Sequence, residues 1–399
     1  MPASATECPL TIEWETLAPE RQPRVVTEYS LESDYLVSTD RWEATVYDTD
    51  PERLKWLALQ PVKLLIHENL QLFGRVEHVT RGRNGNEVTI SGRDHISAIV
   101  ECNIDPTVRV TEDMTLATVV VLVAGPCGID TAFGEGDAQT RSIKSGASLQ
   151  AGTDPGFADL QPGNLKPEPG MGIYEWLNRI AARMGCTIQP GPTRSSVLLV
   201  APNYTTAPIA TFKRSRDPGA VRSNNIEDAS SSEDYSSFPT VGLATGKISS
   251  TGKAAQAAAK TYPIADVIRE AAANLYAKIG DLMHPGRLLP SGQPGDPLKL
   301  YRLLYVKDEQ SRKPEQVERA IARAVSERLR STLDYEVTVK GHRDVDTGYV
   351  YAIDTMATVR DEVCDIDENL WCASRAFSFS RSEGAKTRMR YWRPGSLIL

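Results

Sequence analysis

One hairpin occurs twice in this chain. Residues 70–94, LQLFGRVEHVTRGRNGNEVTISGRD, lie without a gap over residues 370–394, LWCASRAFSFSRSEGAKTRMRYWRP. Leu70 meets Leu370, Arg75 meets Arg375, Arg81 meets Arg381 and Arg93 meets Arg393, while Val76 and Val79 meet Ala376 and Phe379. The turn glycines Gly85 and Gly384 fall within one residue of each other. Two unrelated amphipathic hairpins share part of such a pattern by chance, yet both follow a helix and further strands, and self-similarity constrains architecture before any single residue does. The repeat predicts two copies of one small antiparallel β-barrel, with the rest of the chain inserted between them.

The surrounding pattern fits that frame. Residues 10–16, 24–31 and 41–48 are short, rich in Thr, Val, Tyr and Trp, and separated by Pro or Asp, as small antiparallel strands are. Residues 50–59, DPERLKWLAL, read as a brief helix with an aspartate cap and proline at its first position. Strands follow to residue 94, with RNGN at 83–86 offering a tight hairpin turn. From 95 to 205 the spacing changes to helices at 95–102, 115–125 and 173–185, the last ending at Gly185, with short strands TIQP and SSVLLVAP. Residues 128–170, rich in Gly, Pro, Asp and Ser, read as a long loop. Residues 224–246 return to a strand-like pattern, followed by an Ala-, Gly- and Lys-rich stretch and a helix broken near Pro263. Residues 314–331 form the clearest helix, with Val317, Ile321, Ala324, Val325 and Leu329 on one face. Alternating strands then run to the end.

The expected fold class is α+β, mainly β. Residues 1–94 make the first barrel, 95–205 a middle α+β domain carrying loop 128–170, and 206–246 with 300–399 the second barrel. Residues 247–299 are a loop or helical insertion.

Totals exclude several classes. A chain of 399 residues exceeds the roughly 150 expected per domain, so it holds more than one. With 41% hydrophobic and 24% charged residues it is a folding chain, and a net charge of −7 argues against a generic or sequence-specific nucleic-acid binder. LATVVVLVAG, 116–125, is about half the roughly 20 residues of a membrane span, and the N-terminus lacks a secretory pattern. Membrane insertion is therefore not expected. The six cysteines form no CxxC pair and read as reduced, mostly buried thiols.

Each candidate for chemistry has a structural explanation. In the run Arg93-Asp94-His95, adjacent strand residues point to opposite faces, and Asp94 suits the cap of the following helix better than a triad. Gly246 to Gly252-Lys253 is one residue too long for a phosphate loop, and Ala254 stands where a hydroxyl is required. The acidic runs 344–348 and 361–368 lack a calcium ladder and read as solvated hairpin ends. His67, His78, His95, His284 and His342 show no zinc spacing, and no carboxylate pair is singled out for glycoside hydrolysis. No catalytic, cofactor or metal residue is assigned.

Several segments together carry a resemblance: VTISGRDHISAIVECNIDP, TLATVVVLVAGPCGI, NNIEDASSSEDYSSFPTVGLATG, and residues 318–362 with SRSEGAKTRMRYWRPGS. In this order they look like the baseplate hub protein of Mu-like contractile-tailed bacteriophages, with the late control protein D group as wider kin. The resemblance rests on diffuse patterns over most of the chain, least at 128–170 and 247–299. It implies a structural protein without catalysis: a homotrimer whose two barrels per chain make a ring of near-sixfold symmetry. That ring would join the sixfold tail tube to the threefold central spike. The implied partners are further copies of the chain, the spike, the tube or tube-initiator protein, the tape-measure protein and other baseplate proteins. The implied place is the virion tail baseplate, assembled in the host cytoplasm, and the negative charge would suit a conduit for DNA. The expected contact residues are Arg388, Arg390, Trp392, Leu397, Ile398 and Leu399. A cell-wall hydrolase on a tail scaffold and a glycan-binding β-rich tail module stay open as alternatives.

Overall fold

The computed structural model describes residues 8–82, 86–110, 114–133, 167–168, 170–183, 186–217, 224–237, 239, 241–247, 257–263, 303–308 and 314–397. Most of loop 128–170, the turn glycine Gly85, the helix end Gly185, most of 247–299, and the expected contact residues Ile398 and Leu399 lie outside them.

Six strands form first: β1 (Leu10–Trp14), β2 (Val25–Asp34), β3 (Arg41–Tyr47), β4 (Pro61–Ile66), β5 (Asn69–Arg81) and β6 (Glu87–Asp94). Their alternating apolar residues turn inward: Tyr29, Leu31, Trp42, Ala44, Val46, Val62, Leu64, Ile66, Val88 and Ile90 are all buried. The helix expected at 50–59 is a single turn, Pro51–Leu54, started by Asp50 accepting from the Glu52 amide. The positive φ of Leu59, 61°, bends the chain back before β4.

A middle block follows, with α1 (Ser97–Glu101), α2 (Leu116–Ala124), β7 (Thr131–Phe133), α3 (Ile173–Arg183), β8 (Thr187–Pro190) and β9 (Ser196–Val200). Trp176, Leu177 and Ile180 of α3 are buried, as are Val119, Val120 and Val123 of α2 and all of β9. The short sheet runs β7-β9-β8.

The later strands are β10 (Ala210–Arg214), β11 (Ile226–Ser232), β12 (Val241–Lys247), β13 (Ala257–Pro263) and β14 (Leu303–Asp308). Next come α4 (Pro314–Ser331), β15 (Asp334–Lys340), β16 (Met356–Asp361), β17 (Ile366–Ser380) and β18 (Gly384–Trp392). Where a helix broken near Pro263 was expected, residues 257–263 are a strand paired antiparallel with β12. Backbone pairing to a neighbouring strand overrides the helical preference of its alanines. In α4, Ile321, Val325 and Leu329 are fully buried, as their spacing predicted.

The chain divides into two compact units, residues 1–230 with 336–391, and residues 231–335 with 392–399. The first contains nearly all of a twelve-stranded sheet, ordered β1-β4-β5-β6-β3-β2-β17-β18-β15-β11, with β16 on β17 and β10 on β16. Read by position in the chain, β1 to β6 are arranged first, fourth, fifth, sixth, third, second. The strands β10, β11, β15, β16, β17 and β18 are arranged in the same way. One detail differs: β1 meets β4 antiparallel, whereas β10 meets β16 parallel.

Hydrogen bonds align the two sets more closely than order does. The Leu59 amide donates to the Val76 carbonyl and the Val76 amide to the Gln60 carbonyl, both at 2.9 Å. Asp354 donates to Cys372 and Cys372 to Thr355, both at 2.8 Å, and Asp354 has φ 58° beside the 61° of Leu59. Further along, Asp48 donates to Asn86 as Gly341 does to Ala385. Val76 therefore corresponds to Cys372 and not, as the gapless match had it, to Ala376. The strands also differ in length, β17 having 15 residues and β5 13. In addition β5 bulges between Val76 and His78, opposite Gly92, where a Cβ would come within 1.9 Å of the Arg75 carbonyl oxygen. A slip of four residues is even, so each side chain keeps its face, which is why the gapless match still set apolar on apolar.

Candidate functional site

The place where the two sets join is built from β2 and β17, paired antiparallel from Asp34 opposite Ser374 to Tyr29 opposite Phe379. One edge of β17 is shared: β16 covers Ile366–Trp371 and β2 takes over from Ser374. Arg375, only 6% exposed, stitches the seam. Its guanidinium donates to the Tyr351 carbonyl at 2.7 Å, to Gln71 Oε1 at 2.9 Å and to Ser33 Oγ at 3.0 Å, and lies 4.2 Å from the Phe377 ring centre. A charge so buried persists only when its protons are taken up in this way.

Beside it sits His342. Thr387 Oγ1 gives its proton to the Gly341 carbonyl at 2.6 Å, so His342 Nδ1 must donate to Thr387 at 2.9 Å. Nε2 is then left to accept from the Tyr29 hydroxyl at 2.5 Å. The ring packs 4.5 Å from Phe377 and 6.4 Å from His67. Burial, then the nearby His67 and Arg375, lower the pKa of His342 to about 3, so it stays neutral at ordinary pH. Neither His342 nor Arg375 drew attention in the sequence as part of a site. A signal existed for Arg375, which shares the inward phase of Phe377 and Phe379 along β17.

Against this seam opens a cleft of about 420 Å³ lined by Arg41, Arg375, Arg388 and Arg390 together with Glu32 and Asp34. Two of the expected contact residues, Arg388 and Arg390, are exposed here on one face of β18, with Met389 and Tyr391 turned inward. Trp392 and Leu397 require correction: they are 3% and 5% exposed and serve the core of their own chain. Trp392 Nε1 donates to Asp334 Oδ1 at 3.3 Å beneath the Arg330 guanidinium, 5.2 Å away. A buried indole with a satisfied N–H is a packing residue.

The run Arg93-Asp94-His95 is a structural corner, its members bound in three directions. Arg93 pairs with Glu77 at 2.9 Å and with Glu101. Asp94 accepts from the Ile96 and Asp40 amides, and burial beside Asp40 pushes its carboxyl well above the usual range. The helix begins at Ser97, later than expected, with the Asp94 carboxylate holding the turn before it. His95 Nε2 donates to the Ser196 carbonyl at 2.8 Å, tying β6 to β9. The acidic runs are turns: Asp344 Oδ1 accepts from the Asp346 and Thr347 amides, and Asp361 Oδ1 from Val363 and Cys364. Asp361, fully buried, also takes a two-point bond from Arg214. Among the described residues no group of His, Cys, Asp and Glu could hold a metal ion, and no helix is long and apolar enough to cross a membrane. None of the six cysteines forms a disulfide; Cys186 and Cys372 are buried and the other four half-buried, fewer in the core than expected.

No family model and no curated protein matches this chain. Solved structures do. The tail protein from Neisseria meningitidis MC58 superposes with a TM-score of 0.66 at 18% identity, covering 97% of this chain and 96% of that one. The 43 kDa tail protein of prophage MuSo2 from Shewanella oneidensis gives 0.64 at 16% identity, covering 98% and 99%. An Escherichia coli component of the type VI secretion system, described as structurally similar to bacteriophage T4 tail proteins gp27 and gp5, gives 0.51 at 7%, covering 98% and 78%. This chain has the mainly β fold of these phage tail and secretion-system proteins.

Proposed function

We propose that this protein is the structural hub of a contractile phage tail's baseplate, a homotrimer that joins the sixfold tube to the threefold spike. The observation that carries the reading is the repeated six-strand arrangement within one chain, joined edge to edge through β2 and β17. A chain that makes one arrangement twice can present six similar seats from three copies. The likeness to tail proteins over nearly the whole length supports the same assignment.

Each set acts as one small barrel in this reading. In the second, Asn225 draws β10 to the start of β11: its side chain donates to the Thr211 carbonyl at 2.6 Å and accepts from the Lys213 amide at 2.8 Å. In the first, β1 lies near β2. The exposed Arg388 and Arg390 are contact residues toward a neighbouring copy, the spike, the tube or tube initiator, the tape-measure protein or another baseplate protein. The protein would reside in the virion tail, after assembly in the host cytoplasm, and would not be an enzyme.

Mass measurement in solution, alone and after mixing with a spike protein, tests the reading, together with imaging of the particle to locate the chain on the tail axis. A trimer at the junction of tube and spike is expected. A monomer that never assembles, or a position on the tail fibres, would overturn it, and cleavage of purified cell wall in a zymogram would replace it with a hydrolase.

A further inference from the structure

We propose that Cys102 and Cys127 form a disulfide site, reduced in the chain as it is made and closed by a small-molecule disulfide such as oxidised glutathione. The bond needs only this chain's own thiols and does not depend on the hub reading.

Of the six cysteines, four have their sulfurs engaged elsewhere. Cys8 donates to the Leu10 carbonyl at 3.8 Å, Cys186 to the Ala181 carbonyl at 3.4 Å and Cys372 to the Ser374 carbonyl at 3.5 Å, while the Arg214 guanidinium donates to Cys364 at 3.1 Å. Cys102 and Cys127 instead face each other, thiol to thiol, as hydrogen-bonding partners. Both are half-buried and both are flanked by exposed residues, Glu101 and Asn103 in one segment, Pro126 and Gly128 in the other. A Cβ placed on Gly125 or Gly128 would meet nothing within 4 Å, so the outer side of the Cys127 turn is open to a reagent. Burial, followed by the hydrogen bond and charge of Cys102, raises the Cys127 thiol to about 11, so Cys127 keeps its proton at neutral pH and the first attack falls to Cys102.

The Cys102 sulfur, as thiolate, attacks one sulfur of the reagent, breaking its S–S bond and releasing one small thiol, which takes up the proton. Cys127 then loses its proton and attacks the mixed disulfide at Cys102, forming the bond between the two protein sulfurs and releasing the second small thiol. The protein gives up two electrons and two protons, and the reagent gains both. Cys102 caps the end of α1 and is already fixed in place: its carbonyl accepts from the Ile173 amide at 2.9 Å, at the start of α3, and Asn103 bridges to Gly172. Cys127 closes the single helical turn Gly125–Cys127 that follows α2. The bond ties the end of α2 to the junction of α1 and α3 and closes residues 103–126 into a loop, which restricts the unfolded chain more than the folded one. In a tail particle, as proposed above, the chain would pass from a reducing cytoplasm to an oxidising exterior, where such bonds persist.

The test uses the purified full-length chain, reduced and then equilibrated with graded ratios of oxidised to reduced glutathione. Free thiols counted after denaturation should fall by two from the six of the reduced chain, and peptide mapping should find one linked pair, Cys102 with Cys127, lighter by two hydrogens. The oxidised chain should run as a monomer on a denaturing gel without reductant, and its melting temperature should rise by about 5 °C and fall back on reduction. Cys127→Ser should melt with the reduced wild type and lose the oxidative rise. Six free thiols at every ratio, glutathione retained on either cysteine without closure, linkage to another cysteine, or a bond between copies would each overturn the site. The mapping is done on the unsubstituted chain, so a variant that fails to fold leaves the result intact, and no readout depends on whether the protein is a trimer.

Discussion

The outer halves of β17 and β5 are the same piece of architecture with opposite chemistry. Each follows a hydrogen-bonded corner whose key residue has positive φ, Asp354 in one set and Leu59 in the other. Past that corner β17 carries Arg375, Phe377 and Phe379 into a buried seam, whereas β5 carries His78, Thr80 and Arg81 to the surface. The difference teaches that the strand order of a repeat can be kept while side chains decide, copy by copy, whether an edge is closed within the chain or left open. The corners differ likewise. Leu59 is 69% exposed, but the Asp354 carboxylate accepts from the Asn203 amide at 2.8 Å and the Trp371 indole at 2.9 Å.

Arg375→Met breaks the comparison hardest. It leaves the Tyr351 carbonyl, Ser33 and Gln71 without their donor, at an expected cost of about 2–4 kcal/mol. The counterpart substitution on β5, Val79→Met, should cost under about 1 kcal/mol because that side chain is only half-buried. Urea unfolding of both variants measures the gap, and equal losses would mean that the seam is not where the stability lies.

Acid should separate the two sets next. The pKa of His342 is lowered on folding, so the unfolded chain binds the extra proton first. The stability His342 contributes is complete above about pH 6.5 and is lost as pH falls toward about 3. Unfolding free energy followed across that window should drop less steeply in His342→Phe, which has no proton to gain. Identical slopes would assign the acid sensitivity elsewhere.

Glycine at the two corners should give opposite signs. Leu59→Gly relieves a left-handed leucine and is expected to stabilise by about 1 kcal/mol. Asp354→Gly removes two buried hydrogen bonds and is expected to destabilise by about 2 kcal/mol despite the same relief. Thermal melting of the pair is sufficient to read the signs.

The smallest effect on stability belongs to Arg388→Glu with Arg390→Glu. Exposed on β18, they should change unfolding by no more than about 0.5 kcal/mol. Their effect is expected in sedimentation of the protein with its partners, where the charge reversal should weaken assembly.

Much of the sheet was legible because strand alternation has a period of two and survives even slips in register, as the four-residue displacement between Val76 and Cys372 illustrates. Helix α4 was legible for the same kind of reason, a sustained apolar stripe. The strand at 257–263 was not, because pairing partners decide the state of an alanine-rich stretch. The corner at Asp94 was read correctly from its place between two periodicities. The seam was not read at all, since Tyr29 and His342 lie more than three hundred residues apart and meet only through the order of strands.

What the chain's residues determined alone was a repeated hairpin, its inward and outward faces, and the absence of any recognisable catalytic spacing, because these depend on neighbours within a few positions. What only the tertiary structure decided was the partner of each edge: that β2 covers β17, that Trp392 and Leu397 turn inward, and that among the described residues no strand covers the end of β5 beside β4. Strand pairing is set by backbone hydrogen bonds between distant segments, and every strand offers the same backbone groups, so the choice is made by packing in three dimensions.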